Sequence, residues 1–182
     1  GIVCAYKVAG AAADESRSLD EVVAVTERAL AGTRTMGIAL SPCIVPKVGE
    51  PTFTINDDEI EIGMGIHGEA GIAVKPMMTA DEIADLIIRT IETDMPLASG
   101  EEVSVMVNGL GGTPLEEQFI VYRSVASLLK DRGVTVFMPH IGEFATSMEM
   151  AGLSVTILKL DEELKRLLRA PAFTPFYTNA NK

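Results

Sequence analysis

The sequence has no tryptophan, two cysteines, two histidines and no surplus of positive charge. Each scarcity excludes something. Cys4 and Cys43 are too few and too oddly spaced for a disulfide framework, and both stand in apolar runs, where a thiol is ordinarily a small hydrophobe. That usage fits a reducing cytoplasm. With 15 Lys and Arg against 26 Asp and Glu, the formal net charge is −11. A surface that acidic repels phosphate backbones and anionic lipid, so nucleic acid and membrane are poor partners. An uncharged small molecule or another protein fits better. No stretch approaches the ~18 consecutive apolar residues of a membrane span. No secretory or transit segment stands at the start.

What is present is apolar: 47% of the 182 residues, with a mean hydropathy of +0.26. A chain of this length has room for one domain, 1–182, with a real core. The apolar surplus goes into that core, a partner interface, or both. The chain starts at Gly1 without a methionine and runs straight into Ile2-Val3-Cys4-Ala5-Tyr6, which reads as a cut edge with something preceding it.

Residues 1–13 are apolar, Ala-rich and expected to be helical. Ser18-Leu19-Asp20-Glu21 and Thr79-Ala80-Asp81-Glu82 are capping boxes, in which a hydroxyl and a carboxylate three residues apart satisfy free amides at a helix start. The first helix should carry Val22, Val23, Thr26, Ala29 and Leu30 and break at Gly32; the second should bury Ile83, Leu86, Ile87 and Ile91. Prolines and Gly49 forbid regular helix over 41–51. Phe53-Thr54-Ile55 and Glu59-Ile60-Glu61-Ile62 alternate with period two and predict a hairpin around Asn56-Asp57-Asp58. Val103, Val105 and Val107 mark a buried strand over 102–108. Thr113, Pro114 and Glu116 predict a third helix start, with Val121, Val125, Leu128 and Leu129 on its inner face. Strands over 134–138 and 154–160, a helix over 161–169 and a tail from Pro171 complete the chain. Strand pairs interrupted by helices predict an α/β fold of the α+β type: a two-layer sandwich with a mixed sheet of about six strands and helices mainly on one face.

Three places have the residue types for chemistry. Gly63, Gly65, Gly68 and Gly71 surround His67 and Glu69, a glycine density that costs stability unless the backbone turns sharply or a ligand comes close. A neutral imidazole is a competent nucleophile near pH 7. The competing reading is a bulged strand end with an incidental surface histidine. One His and one Glu fall short of a zinc ligand set. Gly109-Leu110-Gly111-Gly112-Thr113 is either a phosphate cradle at a helix N-terminus or a tight turn. It matches neither the dinucleotide fingerprint nor a Walker loop. His140 has no evident partner except Glu143, three residues on, and is left out of the site.

Several strings taken in order are more specific than their physics: Val8-Ala9-Gly10-Ala11-Ala12-Ala13, Arg34-Thr35-Met36-Gly37, the run from Glu61 to Glu69, Val107-Asn108-Gly109-Leu110-Gly111-Gly112-Thr113-Pro114, and Thr146-Ser147-Met148-Glu149-Met150-Ala151-Gly152. Together they resemble the dihydroxyacetone (glycerone) kinase family, specifically the second, C-terminal domain of its substrate-binding subunit, from Gly1 to about Pro171. The resemblance implies that His67 attacks the ketone carbon of dihydroxyacetone and holds it as a hemiaminal. Apart from the resemblance, Gly65 and Gly68 are expected to admit the small polyol close to the backbone, and Glu69 to orient the imidazole at the substrate. It implies that an N-terminal first domain, absent from these residues, supplies an acid–base Asp and His. It implies no cofactor on this domain: the phosphoryl donor, ADP or ATP with Mg, belongs to a partner domain or subunit, in many bacteria recharged by the phosphotransferase system. A cytoplasmic homodimer is the expected form. The tail from Phe173 to Asn179 matches nothing in that pattern.

Two other readings stand beside the kinase. A regulatory homologue keeps the fold and the histidine but senses ketose without turnover. A lipid-binding protein of the DegV type has only the apolar content in its favour, since likeness of fold says little about function.

Overall fold

The structure is a computed structural model, and it describes residues 1–46, 49–65 and 71–180. Helices α1 (Ile2–Asp14) and α2 (Leu19–Ala31) come first, followed by strand β1 (Thr33–Ala39). Strands β2 (Glu59–Ile62) and β3 (Ala73–Pro76), helix α3 (Ala80–Asp94) and strand β4 (Glu102–Gly109) follow. Helix α4 (Leu115–Asp131), strands β5 (Thr135–Gly142) and β6 (Gly152–Lys159) and helix α5 (Glu162–Arg169) complete the main body. Strands β7 (Ala172–Phe173) and β8 (Thr178–Asn179) make a separate small hairpin.

The six long strands form one mixed sheet in the order β3-β2-β1-β6-β4-β5. Only β4 and β5 run parallel, joined by the α4 crossover; every other neighbour is antiparallel. The α+β class and the six-stranded mixed sheet are as expected, but the helices are divided between the two faces rather than gathered mainly on one. The larger core lies between one sheet face and helices α3 and α4, where Ile38, Ile60, Ile62, Val103, Val105, Val107, Val155 and Ile157 meet Ile83, Ile87, Ile91, Val121, Val125 and Leu129. On the opposite face a smaller cluster joins α1, α2 and α5 to Leu158 and Met138. None of the described helices is long and apolar enough to cross a membrane.

Local chemistry sets the helix boundaries. Both capping boxes form: Ser18 with Glu21, and Thr79 with Glu82. Within α2 the buried residues are Val25 and Ala29, while Val23 and Leu30 are exposed, so the inner face is rotated from the one expected. The third expected cap does not form. Pro114 itself takes the N-cap position of α4, without a side-chain cap. The Thr113 hydroxyl instead donates to the Gly152 carbonyl at 2.8 Å and accepts from the Gly152 amide at 2.7 Å. A buried backbone pair without partners costs more than an uncapped helix end beside solvent, and this is where the hydroxyl goes.

Two further expectations are corrected. Residues 53–55 are not a strand: the two edges of β2 are taken by β1 and β3, and Phe53 packs instead against Ala39, Cys43, Met64, Leu110 and Met150. The turn at Asn56 does form, with the Glu59 amide donating to the Asn56 carbonyl at 3.1 Å. Strand β1 was not foreseen, yet it pairs with both β2 and β6. The tail, too, is ordered. Asn179 is buried and its Nδ2 donates to the carbonyls of Leu168, Arg169 and Ala170 at 2.9–3.2 Å, while the Lys7 Nζ donates to the Leu167 carbonyl at 2.6 Å. Between them these two side chains satisfy the open carbonyls at the C-terminus of α5.

Candidate functional site

The β1, β6 and β4 strands leave part of their second face free of helices. Register aligns two rows across it: Thr35, Thr156 and Met106, and next to them Gly37, Ser154 and Asn108. These residues floor a cavity of about 350 Å³ whose rim includes Gly63, Met64 and Gly65. The floor is polar, with the Thr35 and Thr156 hydroxyls 2.8 Å apart. Thus Thr35-Met36-Gly37, Asn108 and the Gly63–Gly65 run, far apart in sequence, share one hollow.

The rim is built by close backbone contact. The Gly63 amide donates to the Gly37 carbonyl at 2.7 Å, and a Cβ on Gly37 would lie 2.9 Å from the Met64 carbonyl oxygen. Gly63 has φ +79°, a conformation that disfavours any side chain. After the segment 66–70, the Gly71 amide donates to Glu61 Oε1 at 2.6 Å and the Ile72 amide to the Ile62 carbonyl at 2.7 Å. Of the residues expected at the site, Gly65 lines the cavity. His67, Gly68 and Glu69 lie outside the described residues. A carboxylate that sequence reading missed is Glu61: it alternates with Ile60 and Ile62 along β2 yet is itself only 9% exposed. A charged residue buried on the second face of a strand was the available signal.

The glycine loop after β4 is a packing device. A Cβ on Gly112 would meet the Glu149 carbonyl at 2.6 Å, one on Gly111 would overlap the Met148 carbonyl, and one on Gly109 would overlap the Glu143 carboxylate. The Gly112 amide donates to the Met150 carbonyl at 2.8 Å and the Ser147 amide to the Leu110 carbonyl at 2.7 Å. The tight-turn reading accounts for all three glycines by their close contacts, and the hollow beside the loop, lined by Gly111, Gly112, Thr113 and Gln118, also carries the Glu143 carboxylate, which does not suit a phosphate. Asn108 locks the same region: its Oδ1 accepts from the Phe144 and Ala145 amides, and its Nδ2 donates to the Ala145 carbonyl, all at 2.8 Å.

His140 and Glu143 do not pair. Glu143 accepts from Gln118 Nε2 at 2.6 Å, whereas His140 Nε2 lies 2.9 Å from the Tyr177 hydroxyl with the two rings stacked. Burial, with the Lys7 charge adding to it, holds the His140 imidazole below its usual range; burial pushes the Tyr177 phenol up to about 12. Neither residue lines the cavity below Gly63–Gly65.

Sheet order, crossover and cavity define an α/β sandwich domain with the Gly63–Gly65 run at the rim of a hollow. The chain belongs to the Dak1 domain family, whose model matches residues 1–176. It is 46% identical over 175 residues to the dihydroxyacetone-binding subunit DhaK of a PTS-dependent dihydroxyacetone kinase from Listeria innocua, covering 96% of this chain and 53% of that protein. Among solved structures it is similar to the dihydroxyacetone kinase operon co-activator Dha-DhaQ, with TM-score 0.87, 28% identity and coverage of 93% of this chain and 53% of that one. It is also similar to the dihydroxyacetone kinase of C. freundii in complex with AMP-PNP and Mg²⁺, with TM-score 0.78, 28% identity and coverage of 92% and 31%. The chain spans about half the length of the DhaK relatives it matches.

Proposed function

We propose that this chain is the ketose-anchoring, C-terminal domain of a dihydroxyacetone kinase, and that His67 is the anchor. The carrying observation is the cavity, floored by Thr35, Asn108, Ser154 and Thr156, whose rim residues Gly63–Gly65 are followed two residues on in sequence by His67, in a member of the Dak1 family. The imidazole nitrogen lone pair adds to the ketone carbon of dihydroxyacetone. The carbonyl π pair moves to oxygen and is protonated, and the other ring nitrogen gives up its proton, leaving a neutral hemiaminal. Capture of this kind requires a carbonyl, so glycerol is refused on chemistry rather than on hydroxyl contacts, which separate near-isosteres poorly. It also turns a diffusing substrate into a positioned one. In this reading Gly65 and Gly68 admit the polyol close to the backbone, and Glu69 has the role of orienting the imidazole.

The relatives' greater length supports a first domain, N-terminal to this one, carrying the acid–base groups. The AMP-PNP and Mg²⁺ complex of the C. freundii enzyme supports ATP with Mg as a donor, held on a partner domain or subunit. A cytoplasmic homodimer completes the proposal.

The test is carbon NMR of dihydroxyacetone labelled at its ketone carbon, with the chain supplied with its first domain. The wild type converts the carbonyl signal to a tetrahedral one and His67→Ala does not. If both leave the carbonyl intact, the anchor is not His67.

The likeness to the Dha-DhaQ co-activator favours one second reading, a ketose sensor. It predicts saturable ketose binding with no phosphate transfer from any cognate donor.

A further inference from the structure

A second cavity, of about 430 Å³, opens between α1 and the tail. Among the described residues it shares only Val3 with the hollow under Gly63–Gly65. One wall is the stripe Val3, Tyr6, Gly10 and Asp14, set at helical spacing along α1; the other is the chain between Ala170 and Tyr177. Its size suits a small organic molecule.

Three features of these walls go beyond what the fold needs. Lys7 lines the cavity and is only 8% exposed. Its Nζ donates to the Leu167 carbonyl, and among the described residues no carboxylate pairs with it. An ammonium has three donors, and taking it out of water is costly when no anion faces it. Capping α5 does not require that charge, since Asn179, which is neutral, satisfies three further carbonyls at the same helix end. Gly10 stands in the middle of α1 among alanines, where glycine costs helix stability. No packing contact demands it: a Cβ there would meet nothing within 4 Å. Tyr6 and Phe176, one on each wall, are 71% and 74% exposed and leave ring surface in water beside the cavity.

All three fit one kind of occupant. An anionic group answers the buried ammonium, an apolar body covers the two rings, and the open space over Gly10 lets that body lie against the helix backbone. Asp14, about two helical turns beyond Lys7, is exposed and would repel a second negative charge at the other end of the molecule. We infer that this cavity is a binding site for a small monocarboxylate with an apolar body, its carboxylate on Lys7 and its body over Gly10. The net charge of −11 disfavours polyanions, whereas a single carboxylate meets a local cation. The inference does not depend on the ketose reading.

The test uses the chain supplied with its first domain and an eight-carbon series: octanoate, 1-octanol and the diacid suberate. Binding is followed by the ring resonances of Tyr177, which lines the cavity, and of His140, whose Nε2 meets the Tyr177 hydroxyl. Unfolding midpoints are measured alongside for each variant. Octanoate is expected to move both rings and to bind on the order of tenfold more tightly than octanol or suberate, the worth of a charge-assisted hydrogen bond. Lys7→Met should remove that preference, leaving octanoate no tighter than octanol. Gly10→Leu fills the cavity without touching the charge and replaces a poor helix former with a good one. It should keep or raise the midpoint and lose octanoate binding. Unmoved rings in wild type overturn the inference, as does octanol binding as tightly as octanoate. Wild-type affinity for octanoate in Lys7→Met or in Gly10→Leu overturns it too. If Lys7→Met does not fold, Gly10→Leu and the wild-type preference for octanoate over octanol decide the matter.

Discussion

The backbone of Gly37 and that of Met64 are in direct contact: no side chain fits on Gly37 because the Met64 carbonyl oxygen would be 2.9 Å from its Cβ. The central strand β1 thereby supports the first turn of the segment that carries His67. Gly37→Ala should displace Met64 and strain the Gly63 hydrogen bond. The expected cost is about 1–3 kcal/mol of stability, as for other overpacked contacts. Urea unfolding measures the cost, and ketose capture should weaken in the same variant. Full capture in a destabilised Gly37→Ala would separate the site from its support.

Asn108→Ala removes three hydrogen bonds to residues 144 and 145 and leaves two amides and a carbonyl without them. About 1–3 kcal/mol of stability should be lost. Amide exchange at Phe144 and Ala145 should accelerate ahead of exchange in β4. Unchanged protection there would mean that the connection after β5 is held by something else.

Lys7 caps α5 and also lowers the His140 pKa. Lys7→Met should therefore destabilise the chain by on the order of 1 kcal/mol, as for other charges at helix ends. It should also raise the His140 pKa. An NMR titration of the His140 ring reads the second effect directly, and a pKa that stays put or falls would contradict the electrostatic assignment.

The His140–Tyr177 pair predicts losses of stability at opposite ends of the pH scale. The His140 pKa is lowered in the folded state, so below about 6.5 the unfolded chain takes up the proton first. The stability due to the neutral ring is present above that pH and is lost as pH falls toward the folded value. Tyr177, raised to about 12, behaves oppositely: its contribution is whole below about 10 and is lost as pH rises toward 12. Urea midpoints across pH 5–8 for wild type and His140→Asn should show the acid slope shallower in the variant. Absorbance of the phenolate should show one tyrosine titrating late in wild type and none so late in Tyr177→Phe.

Legibility from sequence followed the range of the interactions. The capping boxes at Ser18 and Thr79 are contained within four residues, and both formed as read. The apolar face of α4 and the buried valines of β4 were equally plain, since burial on one side repeats with a fixed period. Strand β1 was hidden because Thr33, Arg34, Thr35 and Gly37 interrupt any apolar pattern; Thr35 floors the cavity and its glycine meets Met64. The alternation over 53–62 correctly marked β2 but could not name its partners, which lie in β1 and β3. Thr113 carried the local signature of a cap and was claimed by Gly152, thirty-nine residues away. At the site, glycine density singled out the run from Gly63 to Gly71, of which Gly63 and Gly65 line the hollow, whereas Glu61 looked like one more outward residue of an alternating strand and is buried.

The order of the sheet bears on how such a chain is made. Strand β6 lies between β1 and β4, pairing Thr33 with Leu158 and Val103 with Lys159, yet it is the last of the six to leave the ribosome. Until residue 159 emerges, β1 and β4 have no common neighbour and the strand edges that β6 pairs stay open. Long-range pairing of this kind delays folding, because distant ends must meet before any contact rewards them. The nascent chain therefore carries the centre of its sheet unpaired until β6 is made, and a ribosome that stalls before Gly152 releases a product unable to close its own centre.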